Sequence, residues 1–224
     1  MITNPLSFEN FWEVNSSLSF EKLALDIFNL QYKKNTVYRS FCDLINRNPC
    51  DVKKVEDIPH LPISFFKSKK VVSFEKEPKG YFSSSKTSGL VPSKHFYRNL
   101  EDYTNSFTKG FENFYGKFSN YVFLALLPSY TEQKNSSLIF MVKEIIQKSG
   151  NIESGFYLDN FEDLVQKINF LESRGQKTIL LGVSFALLDL LECNRFHLKN
   201  TLIMETGGMK GKRKEITRME LHKI

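Results

Sequence analysis

The sequence predicts an α/β protein, in which a helical N-terminal segment is followed by a parallel or mixed sheet with helices on both faces. Two observations predict this fold class. Over the first 60 residues, apolar side chains recur at spacings of three and four, which is the period of an amphipathic helix. From residue 118 onward, short apolar runs alternate with further helical patterns in the order βαβαβαβ. Such alternation is typical of a sheet with right-handed crossover connections.

The N-terminal segment contains two predicted helices and a connector. The apolar stripe of the first helix comprises Phe20, Leu23, Ala24, Ile27 and Phe28. Ser19 precedes this stripe and is the predicted N-cap. A second stripe over residues 37–45 ends at Asn48-Pro49. Because two prolines interrupt residues 58–67, this stretch is predicted to be an extended apolar connector rather than a regular helix.

The remaining elements follow the alternating pattern. The apolar run 121–127 stops at Pro128 and is typical of a strand buried on both faces. Further strands are predicted at 71–74, 80–83, 155–158, 177–181 and 201–204. Helices are predicted after Asn99, after Ser136, after Asn160 and over 184–193. We expect two parts, a helical segment over residues 1–60 and one continuous α/β nucleotide-binding region over 61–224.

Composition narrows the class of protein. The 224 residues are enough to bury a core, and no apolar run is long enough for a membrane span. The first residues lack the pattern of a signal peptide, and the three cysteines form no metal-binding spacing. We therefore expect reduced thiols and a cytoplasmic location. The net charge of +6 is spread along the chain without a nucleic-acid motif, so nucleic-acid binding is only a remote alternative.

Residues 81–95 are the most informative stretch. They combine six Ser/Thr hydroxyls, one glycine and two lysines. Hydroxyls and backbone N–H groups donate to phosphate oxygens, glycine lets the backbone approach closely, and lysine supplies positive charge. The pattern matches neither the P-loop GxxxxGK[ST] nor GxGxxG, so it indicates another class of nucleotide site. The alternative is a Ser/Thr-rich surface turn.

A second candidate segment begins at Glu205-Thr206-Gly207-Gly208, after the last predicted strand. Paired glycines let a ligand lie against bare backbone, and the basic residues that follow can pair with an anion. The alternative is a strand-ending turn followed by a solvated basic loop. A polar cluster over 126–132 also follows a buried strand. The stretch around Ser184 lacks the second glycine of GxSxG, the turn that carries the nucleophile of many serine hydrolases, so this enzyme class is not favoured.

The motifs together resemble the acyl-protein synthetase (LuxE-type) family of adenylate-forming enzymes, which is related to the phenylacetate–coenzyme A ligases. The resemblance covers nearly the whole chain. The stretches that carry it lie at 58–67, 83–95, 123–130, 154–160, 181–186 and 204–211. The fold it implies is the N-terminal domain of an adenylate-forming enzyme.

The resemblance implies a ligase that uses ATP and Mg²⁺ to convert a carboxylic (fatty) acid to an acyl-adenylate and passes the acyl group to a thiol. The implied partners are the acid and an acyl-carrier, acyltransferase or reductase protein. Negative charge develops on the α-phosphate in this reaction, and hydrogen-bond donors and Mg²⁺ stabilise it. The loop residues that would bind ATP are Ser84, Ser85, Lys86, Thr87, Ser88, Gly89, Ser93 and Lys94. Glu205, Thr206, Gly207 and Gly208 would lie by the nucleotide or acyl pocket.

Two departures from the family pattern bear on activity. Lys86 stands where the family loop has its first glycine, so it either strains the loop or adds a phosphate contact. The family also continues into a Tyr-Gly-x-Thr-Glu motif that helps hold Mg²⁺, a lid and a thiol acceptor, which are absent from residues 1–224. We therefore expect a truncated chain that is weak or inactive in full turnover. The alternative is a non-catalytic relative that binds nucleotide or is completed by a partner, and homodimerisation stays open.

Overall fold

The computed structural model describes residues 11–84, 91–127, 135–158, 160–209 and 211–224. The chain divides into two compact units, Met1–Asp102 and Tyr103–Ile224. The predicted domain boundary at residue 60 stays a prediction.

The first unit begins with two helices, α1 (Ser17–Lys34) and α2 (Thr36–Leu44). The N-cap of α1 is Ser16, so the prediction of Ser19 was wrong by one turn. Ser19 instead closes a capping box, since its hydroxyl accepts from the Ser16 N–H at 3.1 Å while its own N–H donates to the Ser16 hydroxyl at 3.2 Å. Asn35 ends α1 and caps α2, because its side-chain oxygen accepts from the Tyr38 N–H at 3.1 Å.

The connector after α2 packs against the helices and departs from the extended prediction. After a 3₁₀ turn at Val55–Asp57, the chain forms one helical turn, α3 (Phe65–Ser68), just beyond the second proline. The Tyr38 hydroxyl donates to the Pro59 carbonyl at 2.6 Å and fixes the connector to α2. Residues 71–74 form no strand, contrary to the prediction, since no neighbouring strand pairs with them.

The first unit ends in a hairpin. Strands β1 (Gly80–Ser83) and β2 (Lys94–Tyr97) pair antiparallel, with Gly80 opposite Tyr97 and Ser83 opposite Lys94. The rings of Phe82 and Tyr97 lie 5.0 Å apart between centroids. The predicted strand at 80–83 is therefore confirmed, and the Ser/Thr-rich stretch lies between two paired strands. Helix α4 (Leu100–Tyr115) follows the hairpin.

The second unit is a four-stranded parallel sheet in the order β4-β3-β5-β6. Its elements follow the predicted alternation. They are β3 (Val122–Leu126), α5 (Ser137–Ser149), β4 (Gly155–Phe156), α6 (Phe161–Ser173), β5 (Thr178–Val183), α7 (Ser184–Cys193), β6 (Thr201–Thr206) and α8 (Arg218–Leu221). The predicted α/β fold class is confirmed, and the sheet is parallel. β6 runs two residues past the predicted end, so Glu205 and Thr206 lie inside the strand.

The sheet is buried on both faces at its centre. Side chains alternate along a strand, so Phe123 and Ile179 lie on one face, where they pack with Ile145 of α5. Leu124 and Leu180 belong to the larger core that includes residues of α6 and α7. Every residue of β3 is buried, as the continuous apolar run predicts. Within the described part of the chain, no helix is both long and apolar enough to cross a membrane.

Gly182 of β5 provides a test of this packing. A Cβ atom at this position would lie 2.8 Å from the Leu187 side chain and 3.3 Å from the Leu126 Cβ. α7 begins directly after β5, so its first turn lies over Gly182. We expect Gly182→Ala to lower the free energy of unfolding by about 1–3 kcal/mol through overpacking. Urea denaturation measures the change.

Gly110 in α4 is the matched control for this substitution. No atom lies within 4 Å of a Cβ built there. Alanine is the better helix former, so Gly110→Ala should raise the free energy of unfolding by about 0.5–1 kcal/mol. Equal effects of the two substitutions would contradict the packing at Gly182.

Candidate functional site

The Ser/Thr-rich loop is closed at its base by a pair of hydrogen bonds. The Ser84 N–H donates to the Ser93 carbonyl at 3.1 Å, and the Ser93 N–H donates to the Ser84 hydroxyl oxygen at 3.0 Å. Together with the pairing of Ser83 and Lys94, these bonds hold both ends of the loop side by side. We call residues 84 and 93 with their two hydrogen bonds the loop clamp. The remaining predicted loop residues, Ser85 to Gly89, lie outside the described residues.

Lys94 is the positive charge at the base of the loop. Its side chain is exposed, and its ammonium lies 5.0 Å from the centroid of the Tyr81 ring, within the range of a cation–π contact. This contact keeps the charge beside the hairpin. Next to it, the His95 ring stacks on Phe66 with 6.1 Å between centroids, so His95 has a packing partner in the connector.

Glu205 is the polar centre of the second unit. It pairs with Gly182 across the two strands, and its side chain is only 15% exposed. One carboxylate oxygen accepts from the buried Ser184 hydroxyl, and the other lies 3.7 Å from the Arg218 guanidinium. Because Ser184 is the first residue of α7, the hydrogen bond ties the start of that helix to β6. The arrangement can present a fixed carboxylate to a ligand.

The backbone turns at the glycine pair Gly207-Gly208, directly after β6. Gly207 has φ +82°, a conformation that residues with a side chain rarely adopt. Gly208 differs, since a Cβ there would make only ordinary contact, at 3.7 Å from the Glu215 carboxylate. The chain then buries Met209, whose carbonyl accepts from the Lys212 N–H at 2.8 Å. Only Gly207 therefore needs to be glycine for the backbone.

The basic loop after β6 is anchored to α7 by an ion-pair network. The Arg213 side chain donates to Asp189 at 2.7 Å and to Glu192 at 2.6 Å. These hydrogen bonds, to Glu192 first, raise the pKa of Arg213, and the bond from Arg213 lowers the pKa of Glu192. Arg213 thus has two carboxylate partners within the chain, whereas Arg218 is largely exposed and lies 3.7 Å from the Glu205 carboxylate.

Ser184 has a role that the sequence did not predict. From the sequence it is weighed as a hydrolase nucleophile and belongs to the stretch 181–186 that carries the family resemblance, whereas in the fold it is the hydrogen-bond donor to Glu205. Most of the polar cluster at 126–132 lies outside the described residues. Among the residues that the structure describes, no group of three or more His, Cys, Asp or Glu is arranged to hold a metal.

Sequence comparison identifies the family of this chain. The family model described as "Acyl-protein synthetase, LuxE" matches residues 3–218. The chain belongs to this family. The predicted resemblance to LuxE-type acyl-protein synthetases is confirmed.

A curated relative extends this finding to a named protein. A long-chain-fatty-acid–luciferin-component ligase of Photorhabdus luminescens is 37% identical over 71 residues. The aligned stretch is 31% of this chain, and the chain covers 60% of the length of that relative. No solved structure matches the chain.

The link between Ser184 and Glu205 can be measured as a coupling energy. Ser184→Ala leaves a largely buried carboxylate without one of its donors, and hydrogen bonds to charged groups contribute about 1.5–3 kcal/mol. We expect Ser184→Ala to lower the free energy of unfolding by about that amount. A double-mutant cycle with Glu205→Gln should give a coupling of at least about 0.5 kcal/mol. The exposed Ser173→Ala should stay within about 0.5 kcal/mol of wild type, and additive effects of the two site substitutions would refute the coupling.

The Arg213 network should make stability depend on pH. The folded state lowers the pKa of Glu192, so this stabilisation is fully present above the unfolded value of about 4.3 and is lost as pH falls through the folded value. Arg213→Ala should therefore destabilise the protein more at neutral pH than at about pH 3. Urea midpoints at the two pH values test this, with exposed Lys212→Ala as the control. A destabilisation that does not change with pH would contradict the role of Glu192.

Proposed function

We propose that this chain binds ATP in an acyl-protein synthetase that activates a carboxylic acid. In the first half-reaction an acid oxygen attacks the α-phosphorus of ATP, and the bond to the departing pyrophosphate breaks, which leaves an acyl-adenylate. In the second, a thiol gives up its proton and its sulphur attacks the acyl carbon, so that AMP leaves. Family membership and the fatty-acid ligase named among its relatives support this class of reaction.

The loop clamp is the observation that carries the proposal. It fixes both ends of a segment rich in hydroxyls, and Lys94 stands at the same end of the hairpin. Ser84 accepts a hydrogen bond through its oxygen, so its O–H remains able to donate. A hydroxyl-rich sequence held at both ends, with a nearby ammonium, suits the β- and γ-phosphates of a nucleotide. The same donors would stabilise the departing pyrophosphate.

The chain's own donors fit the phosphates better than they fit a metal ion. Mg²⁺ in nucleotide sites is held by phosphate oxygens, water and one or two carboxylates. We propose that Mg²⁺ arrives with ATP and neutralises phosphate charge.

The Glu205–Gly208 segment is a second proposed ligand contact. Its carboxylate is held by Ser184 and faces Arg218, so it offers an acceptor of fixed orientation. The turn at Gly207 leaves backbone exposed beside it. A nucleotide base, which carries N–H donors, is the kind of ligand that such an acceptor and bare backbone suit. The acyl-carrier or acyltransferase partner and the homodimer stay predictions.

Calorimetric titration with Mg-ATP tests the loop directly. Thr87→Ala removes one hydroxyl donor to a charged ligand, so we expect affinity to fall about tenfold or more. Lys94→Ala should have a similar effect that weakens at high salt. Lys79→Ala is the matched control, because this lysine lies beyond the other end of the hairpin, where its N–H pairs with the Tyr97 carbonyl at 3.0 Å. Lys86→Gly decides whether the lysine in the loop strains it or contacts phosphate.

An exchange assay separates the proposed reaction from simple binding. Acid-dependent exchange between pyrophosphate and ATP would support activation of a carboxylic acid. Saturable Mg-ATP binding without exchange would support the alternative, a non-catalytic nucleotide-binding relative. Absence of saturable binding, or binding unaffected by Thr87→Ala and Lys94→Ala, would refute the loop as a phosphate site.

A further inference from the structure

An apolar cleft lies within the first unit and has no assigned role. Its volume is about 550 Å³, within the range of about 300–1,000 Å³ that small-molecule sites occupy. Its lining comes from α1, α2, the stretch 55–66, residues 71–74 and β2. The lining includes Phe20, Ala24, Ile27, Val72, Phe74 and His95.

Several polar groups that line the cleft hydrogen-bond to one another. The Tyr38 hydroxyl donates to the Pro59 carbonyl at 2.6 Å. The Asn35 side chain accepts from the Tyr38 N–H at 3.1 Å and donates to Gln31 at 3.2 Å. A nucleotide or sugar would bury polar groups against these walls without enough partners, and such burial is unfavourable. The lining therefore favours an aliphatic ligand.

The cleft reaches the base of the Ser/Thr-rich loop. His95 lines it and follows Ser93 of the loop clamp by two residues. Since a strand rises about 3.3 Å per residue, the end of the cleft lies roughly 7 Å along β2 from the clamp. An acid whose chain occupies the cleft would thus have its carboxyl group toward the end of the hairpin that carries the proposed phosphate site.

We propose that this cleft binds the aliphatic chain of the acid substrate, with the carboxyl end toward His95 and the loop. The inference rests on the proposed function for the identity of the head group. It goes further by assigning the pocket for the aliphatic chain of the acid to α1 and residues 71–74 of the first unit.

The second unit contains a cavity of similar size that suits an aliphatic chain less well. Its volume is about 610 Å³, but charged residues, Glu205 and Arg195, stand among its apolar lining. Burying methylene groups against charged side chains removes water from those charges, which is unfavourable. This second cavity supplies the matched control for the test.

The assignment is tested by measuring how strongly saturated fatty acids displace the fluorescent cis-parinaric acid from the protein. Each added methylene should improve affinity about fourfold from octanoic to dodecanoic acid. Ala24→Trp fills the cleft from α1, so tetradecanoic acid should bind about tenfold more weakly, because two or more methylenes lose their contacts. Val72→Trp, which fills the cleft from residues 71–74, should act in the same direction if Ala24→Trp does not fold.

Two control variants carry the same added bulk. Asn29→Trp places an indole on the exposed side of α1, and Leu191→Trp places one in the cavity of the second unit. Neither should change fatty-acid affinity by more than about twofold. Circular dichroism confirms that each variant keeps its fold.

Mg-ATP titration of the same variants separates this inference from the proposed function. Normal Mg-ATP binding with reduced fatty-acid affinity in Ala24→Trp or Val72→Trp supports the cleft. Weaker fatty-acid binding in Leu191→Trp alone would overturn it in favour of the second unit. Absence of fatty-acid binding in a chain that still binds Mg-ATP would also overturn the cleft while leaving the nucleotide site intact. If the wild-type chain does not bind Mg-ATP, the proposed function is refuted instead.

Discussion

The pairing of β3 with β5 is the constraint on which the second unit depends. These two strands occupy the centre of the sheet, and their side chains are almost all buried. β5 passes into α7 without an intervening loop, so the direction of the strand determines where the helix begins. Ser184 is thereby placed beside β6, where its hydroxyl reaches Glu205. The position of the carboxylate is thus a product of core packing.

The first unit is held together differently, because the regular structure of its described residues is limited to helices and one hairpin. A single tyrosine connects two of its parts, since Tyr38 packs in the core of α1 and α2 while its hydroxyl binds the connector. The connector in turn supplies Phe66, on which His95 of the hairpin stacks. A chain of contacts therefore runs from the helices to the base of the Ser/Thr-rich loop.

The sequence predicted the elements whose signals are local. The all-apolar run of β3, the caps Ser136 and Asn160, and the hairpin strand at 80–83 are confirmed. Apart from the N-cap of α1, which was predicted one turn too late, the main errors lie where distant residues determine the structure. Residues 71–74 have strand-like composition but no strand to pair with, and β6 extends through Glu205 because β5 continues beside it. The bond from Ser184 to Glu205 joins residues that only the fold brings together, so no local pattern could reveal it.

The loop clamp has a consequence for how this protein can diverge. Its two hydrogen bonds and the paired strands beneath it involve residues 80–84 and 93–97, and none of these bonds uses a side chain from the loop between them. Stability of the hairpin and composition of the loop are therefore separable properties. Substitutions between the clamp residues, at positions 85–92, can therefore change the chemistry of the loop without removing a partner from any of these bonds. Lys86 stands at one such position.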